Sequence, residues 1–532
     1  MTALRCAAPA LLIAALALVP FLDKAFTTDD TLFLRQAQQV LADPLHPTAF
    51  EMVWSESLEP RRMSAIMPSG PVMAYLLVPC VWLGGAEWIA HLVVLAFFGL
   101  AIVSTAGLAL RLGSSPDAAR TAAILLAVTP AALALASTAM PDVPAMALGV
   151  FGIERLVAWR DERRWSQAVA ATFALALAAL ARSHLLLLLG VAALLVGSGL
   201  FARGRWREAL DVSWLPILAA PVVVVAIALL TRDPLAPSTA LVEAAQAFSG
   251  GANLGANVAA FAAHWTLVLP LALPWAVLRW RALLHQPALY VAALAALWLA
   301  LDGSESKHLA IVAPAVVLGA VALWDVLEDG WRRRDAIQLA LGLWLLIPLP
   351  LAIYAHLPSK YLLASAPAVA ILVGRALAAR DAALSRALLA LTAAAGIALG
   401  IAILRADAAF AGLGRRAAAE LIAPNVKAGS QVWYAGHWGF QWYAERAGAR
   451  CLTPSLPHPV QGDLAVSSAR SFGHAIGLFS EREHLASLEE KGPGGRIMSM
   501  ELGAGFYSNY WGILPWVWGD DLLDRFDLWR LH

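Results

Sequence analysis

The 532-residue chain has few charged residues: they make up 14% of it, where a soluble domain carries roughly a quarter. Its 38 lysines and arginines nearly balance its 37 acidic residues, so no basic surface for nucleic acid is indicated. Cys6, Cys80 and Cys451 are far apart and odd in number, which fits neither a metal motif nor a disulfide framework. These shortages argue against a soluble domain, a nucleic-acid-binding protein and a disulfide-stabilised fold.

Hydrophobic residues make up 60% of the chain, and long runs such as 121–139 and 309–324 contain no charge. Such runs are typical of a helical protein that crosses a membrane many times. The first apolar run has no small-residue cleavage site after it, so we expect it to be retained as a membrane helix. We predict thirteen spans, at 6–22, 87–110, 121–137, 142–159, 167–182, 184–202, 213–231, 259–278, 287–301, 308–327, 336–355, 361–378 and 387–405.

Every second loop between these spans is rich in arginine. These loops hold Arg111 and Arg120; Arg160, Arg163 and Arg164; Arg203, Arg205 and Arg207; Arg279 and Arg281; Arg332, Arg333 and Arg334; and Arg375, Arg380 and Arg386. Basic loops of membrane proteins face the cytoplasm. We therefore expect the amino terminus to lie inside and the part of the chain after Leu404 to lie outside.

The segment 71–83 is apolar but too short to span a bilayer, and counting it as a span would invert every later loop. We expect it to be a helix in the outer interface, within a long first outer loop over 23–86. In that loop, residues 30–41 place Phe33, Ala37, Val40 and Leu41 on one helical face. The glutamines Gln36, Gln38 and Gln39 fall mostly on the other face, which indicates an amphipathic helix along the membrane surface.

The sequence divides into a membrane domain, 1–405, and a small α/β domain, 406–532, outside the membrane. In the second domain we expect a strand over 431–435, a helix over 438–447 that Gly448 ends, and a strand over 496–501.

Two acids, Asp29 and Asp30, follow the first span where the chain leaves the membrane. One interpretation is structural: Thr28 caps a helix and the acids lie in its first turn. The other is catalytic, with a carboxylate held at the membrane surface as a general base. Asp142 begins a later span on the same face, where it is either a helix cap or, as an ionisable group beside hydrocarbon, part of a functional site.

Basic side chains on the expected outer face are few. They are Arg61, Arg62, Arg182, Lys307 and Lys360, the last followed by Tyr361. Singly, each is explained by a side chain that reaches toward lipid headgroups. Together they are candidates to bind a phosphate.

Short motifs in a set order carry a family resemblance. They are the acidic pair, Met67-Pro68-Ser69-Gly70-Pro71 before the interfacial helix, Met140-Pro141-Asp142, Ser359-Lys360-Tyr361-Leu362-Leu363 and, in the tail, residues 436–443. In this order the chain resembles the C-type (GT-C fold) glycosyltransferases that use polyprenyl-phosphate sugars. It is most similar to bacterial relatives of protein O-mannosyltransferases and of the lipid A aminoarabinose transferase.

The resemblance implies an all-α, GT-C-like membrane fold of about 13 spans in the bacterial inner (plasma) membrane, with a small extracytoplasmic α/β domain. It implies inverting transfer of a sugar from a polyprenyl-phosphate donor to an acceptor hydroxyl. Asp29 would be the base, Asp30 its neighbour and Asp142 a second acid. No cofactor beyond the donor is implied with certainty; a divalent cation stays open. Expected partners are the donor, membrane lipids, and an acceptor glycan, lipid or protein.

Two of the motifs depart from the family pattern. Leu32 and Phe33 stand where many relatives have Arg-Tyr, and Met67 stands where many have lysine or histidine. The usual phosphate contacts are therefore replaced, and Arg61 and Arg62 are the candidates to replace them.

Two other functions fit parts of the sequence. A transporter or flippase of a lipid-linked precursor would fit the many spans, but we find neither internal repeats nor paired broken helices near the midplane. The ionisable residues cluster at one face rather than at mid-span. A non-catalytic envelope assembly factor would fit the aromatic tail, but it does not require the acidic pair.

Overall fold

The computed structural model describes residues 2–54, 57–66, 70–202, 212–236, 253–302, 308–455, 457–491 and 494–532. Among the features expected from the sequence, Lys307, the turn at Met67–Ser69 and the arginines 203, 205 and 207 lie outside these residues.

The protein is mostly helical. Its described α-helices before residue 430 are α1 (Ala3–Leu18), α2 (Asp30–Ala42), α3 (Met63–Ile66), α4 (Val72–Leu76), α5 (Val78–Trp82), α6 (Glu87–Arg111), α7 (Pro116–Ala127), α8 (Pro130–Leu135), α9 (Asp142–Glu162), α10 (Trp165–Ala181), α11 (Leu188–Ala202), α12 (Leu215–Leu230), α13 (Leu254–Leu267), α14 (Ala272–Leu283), α15 (Pro287–Asp302), α16 (Leu309–Arg333), α17 (Ala336–Leu345), α18 (Ser359–Leu362), α19 (Ala366–Ala378), α20 (Ala382–Ala417) and α21 (Ala423–Lys427).

Several of these helices are long and apolar enough to cross a membrane. Within the described ranges, seven helical segments qualify, and the bent pair α13 and α14, whose axes differ by 92°, adds an eighth if it is one span. Shorter apolar helices lie at Trp165–Ala181, Ser183–Ser198 and Pro287–Trp298. The protein is therefore a multi-pass membrane protein, and the predicted number of thirteen spans is not confirmed.

Some predicted spans have different limits in the structure. The span predicted at 121–137 breaks at Thr129, because Pro130 cannot donate the backbone hydrogen bond that would continue α7. The last span, predicted at 387–405, continues as α20 to Ala417 and crosses the expected domain boundary. That boundary stays a prediction.

The first outer loop contains helix α2, as expected. This helix is more buried than a helix at the membrane interface would be. Phe33, Ala37 and Val40 are buried, but Leu41 is 49% exposed and Gln36 is fully buried, so those two assignments were wrong. The reason is that α2 packs against α4, α5 and the α/β domain that we predicted at 406–532, which we expect outside the membrane and call the outer domain. The interfacial helix expected at 71–83 is two short helices, α4 and α5.

The outer domain contains a five-stranded sheet with strand order β4-β3-β5-β11-β6. Its strands are β3 (Val432–Ala435), β4 (Arg450–Cys451), β5 (Leu464–Ser468), β6 (Arg482–Glu490) and β11 (Asp524–Leu531). β3 pairs in parallel with β4 and β5, and β11 pairs antiparallel with β5 and β6. The smaller strands are β1 (Glu51–Met52), β2 (Arg61–Arg62), β7 (Gly494–Arg496), β8 (Met498–Ser499), β9 (Ala504–Gly505) and β10 (Val517–Gly519).

The predictions for the outer domain are mostly confirmed. The strand at 431–435 is β3, and the expected helix is α22 (Trp438–Arg446), which is followed by Gly448 with a φ of +97°. A left-handed residue of this kind favours glycine and ends the helix. The strand predicted at 496–501 is instead divided between β7 and β8.

Helix α22 fixes the outer domain on the loop that carries the acidic pair. A Cβ on Gly439 would lie 1.9 Å from the carbonyl oxygen of Phe26, so only glycine permits this approach. Thr31 also donates a hydrogen bond to the carbonyl of Trp438, at 2.6 Å. The outer domain therefore helps to shape the backbone on both sides of Asp29.

Candidate functional site

The structural interpretation of the acidic pair holds only in part: Asp30 lies in the first turn of α2, but Thr28 does not cap the helix. The cap position of α2 is Asp29, and its side chain accepts no hydrogen bond from the helix. The hydroxyl of Thr28 is buried and has no hydrogen-bond partner among the described residues. Thr28 also has a φ of +32°, a conformation that costs free energy in a β-branched residue. The loop thus directs the Asp29 carboxylate away from its own helix.

The Asp29 carboxylate faces Lys360 at the start of α18. Lys360 Nζ donates a hydrogen bond to Asp29 Oδ2 at 2.6 Å, and the two side chains are 5% and 26% exposed. Burial raises the pKa of Asp29, but the charge and hydrogen bond of Lys360 outweigh it and hold the pKa below its usual range. Asp29 is therefore ionised at neutral pH and remains partly accessible.

A second ion pair lies beside the first. Both Asp142 oxygens accept hydrogen bonds from the Arg182 guanidinium, at 3.0 and 2.7 Å. Arg182 and Lys360 lie 5.3 and 5.9 Å from the ring centroid of Tyr361. The structure therefore brings together five of the nine residues singled out in the sequence: Asp29, Asp142, Arg182, Lys360 and Tyr361.

Asp30 points away from this group. Its two oxygens accept hydrogen bonds from the backbone N–H groups of Thr27, at 2.9 Å, and Ala139, at 2.8 Å. Burial raises the pKa of Asp30 to about 7, although the charge of Lys24 opposes this shift. Asp30 therefore ties the loop to the segment before α9 and, being fully buried, is not accessible to a substrate.

The arginines of the first outer loop are not in this group. Arg62 forms a two-fold hydrogen bond with Asp233, at 2.6 and 3.1 Å, and Ser64 joins the same carboxylate. Arg61 is exposed in the short strand β2. Through these contacts Arg62 links the first outer loop to the segment after α12. The geometry therefore does not support the prediction that Arg62 binds the donor phosphate.

A buried network next to the site was not found from the sequence. Asp407 of α20 accepts hydrogen bonds from Lys24 Nζ at 2.5 Å, the Thr27 hydroxyl at 3.0 Å and the Tyr507 hydroxyl at 2.7 Å. Asp407 and Lys24 are at most 4% exposed. The available signal was an acid only three residues beyond the uncharged run at 387–404, which is an unusual place for a carboxylate.

Half-buried aromatic rings line one side of Asp29 and Lys360. His356 lies 6.1 Å from Tyr361, 5.5 Å from Tyr354 and 5.5 Å from Tyr510 of the outer domain, centroid to centroid. The Ser508 hydroxyl lies 3.0 Å from His356 Nδ1. Burial, with the nearby charge of Lys360, lowers the pKa of His356 to about 4, so this ring is neutral.

Ligands for a metal ion are not assembled in the described parts of the chain, where no group of three or more histidine, cysteine, aspartate or glutamate side chains is suitably placed. Asp29 and Asp142 each face a cationic side chain instead. The arrangement can hold an ionised carboxylate close to two cations, on one side of an aromatic wall.

No protein-family model and no curated protein sequence matches the chain. Solved structures do match it. The archaeal oligosaccharyltransferase AglB from Archaeoglobus fulgidus, in complex with an inhibitory peptide and a dolichol-phosphate, is 13% identical with a TM-score of 0.45, over 86% of this chain and 62% of AglB. ArnT from Cupriavidus metallidurans, bound to undecaprenyl phosphate, is 18% identical with a TM-score of 0.45, over 91% and 96% of the two chains.

This chain thus spans less than two thirds of the length of AglB. The matched structures are of the kind that the sequence motifs indicated. At these identities and TM-scores they assign neither a substrate nor residue roles to this protein.

Proposed function

We propose that this protein is a membrane glycosyltransferase that moves a sugar from a polyprenyl-phosphate donor to an acceptor hydroxyl. The contact between Asp29 and Lys360 is the observation on which this proposal rests most. It pairs an ionised, partly accessible carboxylate with a cation, and so supplies a proton acceptor next to a phosphate-binding group.

In this reaction Asp29 accepts the proton of the acceptor hydroxyl. The acceptor oxygen then forms a bond to the anomeric carbon while the bond from that carbon to the phosphate oxygen breaks. The electron pair leaves with the polyprenyl phosphate, and attack from the opposite face inverts the anomeric centre. Lys360 and Arg182 supply positive charge for the departing phosphate, as two cations close to Tyr361.

The two cations are not free before the donor arrives. Lys360 is held by Asp29, and Arg182 is held by Asp142. A donor phosphate would share Lys360 with Asp29, which weakens the interaction that keeps the pKa of Asp29 low. Donor binding would therefore make Asp29 a stronger base at the moment when the acceptor needs one.

The proposed setting is the outer face of the bacterial inner membrane. It is supported by the arginine-rich loops on the opposite ends of the helices and by the position of the outer domain over Asp29. The acceptor is a hydroxyl of a glycan, a lipid or a protein.

The test is incubation of the purified protein, in liposomes, with a radiolabelled polyprenyl-phosphate sugar and candidate acceptors. Transfer of label with release of polyprenyl phosphate supports the proposal. Movement of the intact donor between leaflets without transfer would assign a transporter instead.

A further inference from the structure

A cavity lies where α20 meets the outer domain, away from Asp29. It has a volume of about 360 Å³ and is lined by Ala402, Arg405, Lys491, Gly495, Arg496 and Trp516, among others. We name it the junction cavity. Its volume falls within the range of ligand sites, which is about 300–1,000 Å³.

A glycine lets β7 pack closely against α20 beside this cavity. A Cβ on Gly495 would lie 3.0 Å from the Cβ of Ala406 and 2.1 Å from the indole nitrogen of Trp516. The backbone of β7 therefore lies directly against α20, and any larger residue at position 495 would displace both neighbours.

Positive charge dominates the lining of the junction cavity. The guanidinium of Arg405 is exposed and, among the described residues, has no hydrogen bond or ion pair. Lys491 pairs with Glu489 at 2.9 Å but is 64% exposed, and Arg496 pairs with Asp521. Glu490 also lines the cavity and lies 3.5 Å from Arg416. Arg405 is therefore the cation that an anion would meet.

The junction cavity lies at the depth of lipid headgroups. Residues 387–404 of α20 carry no charge, and at 1.5 Å per residue they cover roughly 27 Å, close to the hydrocarbon thickness of a bilayer. Arg405 is the first charged residue after this stretch. Trp516 lines the cavity together with Trp518, which is 63% exposed, and tryptophan is enriched at the boundary between hydrocarbon and headgroups.

We propose that the junction cavity binds the phosphodiester headgroup of an anionic membrane lipid, with Arg405 as its main contact. An exposed cation at headgroup depth, beside a cavity and tryptophan side chains, suits a phosphate whose acyl chains remain in the bilayer. The site shares no residue with the group around Asp29, so it does not depend on the proposed transfer reaction.

Native mass spectrometry of the full-length protein, titrated with phosphatidylglycerol and phosphatidylcholine of equal chain length, tests the proposal. We expect wild type to bind phosphatidylglycerol more tightly. Arg405→Ala should weaken that binding about fivefold, as expected for one basic side chain near a lipid phosphate, and leave phosphatidylcholine unchanged. Arg405→Lys should retain most of the binding.

Two further variants make the result specific. Arg450→Ala removes an exposed arginine from β4, the opposite edge of the sheet from β6, and should change nothing. Ala402→Trp keeps the charge of Arg405 but fills the cavity, and should weaken binding of phosphatidylglycerol. The proposal is overturned if Arg405→Ala binds phosphatidylglycerol as tightly as wild type, or if Arg450→Ala weakens that binding as much as Arg405→Ala does. It is also overturned if inorganic phosphate at the same concentration displaces the lipid.

Discussion

At the scale of single residues, the site depends on two ion pairs that have different exposures. Asp29 is 26% exposed, whereas its partner Lys360 and the Asp142 carboxylate are almost completely buried. The accessible member of the four is the carboxylate that a substrate hydroxyl would reach. The buried members hold charges in place near it, at a cost in desolvation that is recovered only if each pair stays intact.

Lys360→Met should move the acidic limb of the pH–rate profile to higher pH. Asp29 must be ionised to act as a base, and Lys360 is what holds its pKa low against burial. Without the lysine, burial prevails and the limb should shift upward by ~1–3 pH units. The measurement is kcat against pH at saturating donor. Arg61→Met, in β2, is the control and should leave the limb in place.

Asp142→Asn should destabilise the folded protein by about 3–5 kcal/mol, because it removes the charged partner of the Arg182 guanidinium, whose side chain is only 15% exposed. The double variant Asp142→Asn, Arg182→Gln should lose much less than the sum of the two single variants. Thermal unfolding in detergent measures this. Arg416→Ala breaks the exposed pair with Glu420 and should cost at most ~1 kcal/mol. Strictly additive effects at positions 142 and 182 would contradict the account.

Much of this group could be predicted from the sequence because charges are rare in the chain. Asp29, Asp142 and Lys360 stand at the ends of apolar runs, so the order of the loops placed them on one face. The prediction that Arg62 helps to bind the donor phosphate is not supported, because its contact could not be read from the sequence. Its partner, Asp233, is 171 residues away, and no local pattern indicates a contact at that distance. The contacts of Asp407 with Lys24 and Tyr507 also join residues that are far apart in the sequence, so no local pattern predicts them.

At the scale of secondary structure elements, the helices follow the apolar runs, but their breaks and bends follow prolines and tertiary contacts. The bend of 92° between α13 and α14, next to Pro270, divides a run that hydropathy alone joins. The extension of α20 to Ala417 follows from its packing against α22 and β7, which composition does not encode. As a result, α20 carries Asp407 into contact with both the first outer loop and the outer domain.

Asp407→Ala should loosen the loop that carries Asp29. It removes the acceptor of three hydrogen bonds and leaves the Lys24 ammonium buried without a partner, at a cost of about 3–5 kcal/mol. Hydrogen exchange should accelerate in residues 23–31 and 505–509. Tyr507→Phe removes one hydrogen bond to the same carboxylate and should cost less, about 1.5–3 kcal/mol. Unchanged exchange over 23–31 in Asp407→Ala would show that this network does not hold the loop.

At the scale of the whole molecule, four of the loops expected outside supply Asp29, Asp142, Arg182 and Lys360 to the site. Described arginines of the arginine-rich loops pair with acids elsewhere. Arg279 pairs with Asp325 and Asp329, and Arg375 pairs with Asp335, at the far ends of α14, α16 and α19. This separation supports a topology with the site and the outer domain on one side and the arginines on the other.

Topology reporters test that arrangement. A reporter fused after Arg334 and one fused to the C-terminal residue, His532, should report opposite sides of the membrane. The reason is that the loop at 332–334 has three consecutive arginines, an excess that none of the loops around the site has. Both reporters on one side would contradict the orientation.

The central claim, that Asp29 is the base of a sugar transfer, is tested most directly by the transfer rate of Asp29→Asn in a defined assay with a labelled polyprenyl-phosphate sugar. An amide has nearly the shape of the carboxylate but cannot take the proton of the acceptor hydroxyl, so the rate should fall by ~10²–10⁴-fold. Donor binding should be largely kept. The variant leaves the Lys360 ammonium, which is 5% exposed, without its charged partner, so the rates are compared at a temperature at which thermal unfolding shows both proteins to be folded. Near-normal turnover by the variant would contradict the claim and make Asp142 the leading candidate.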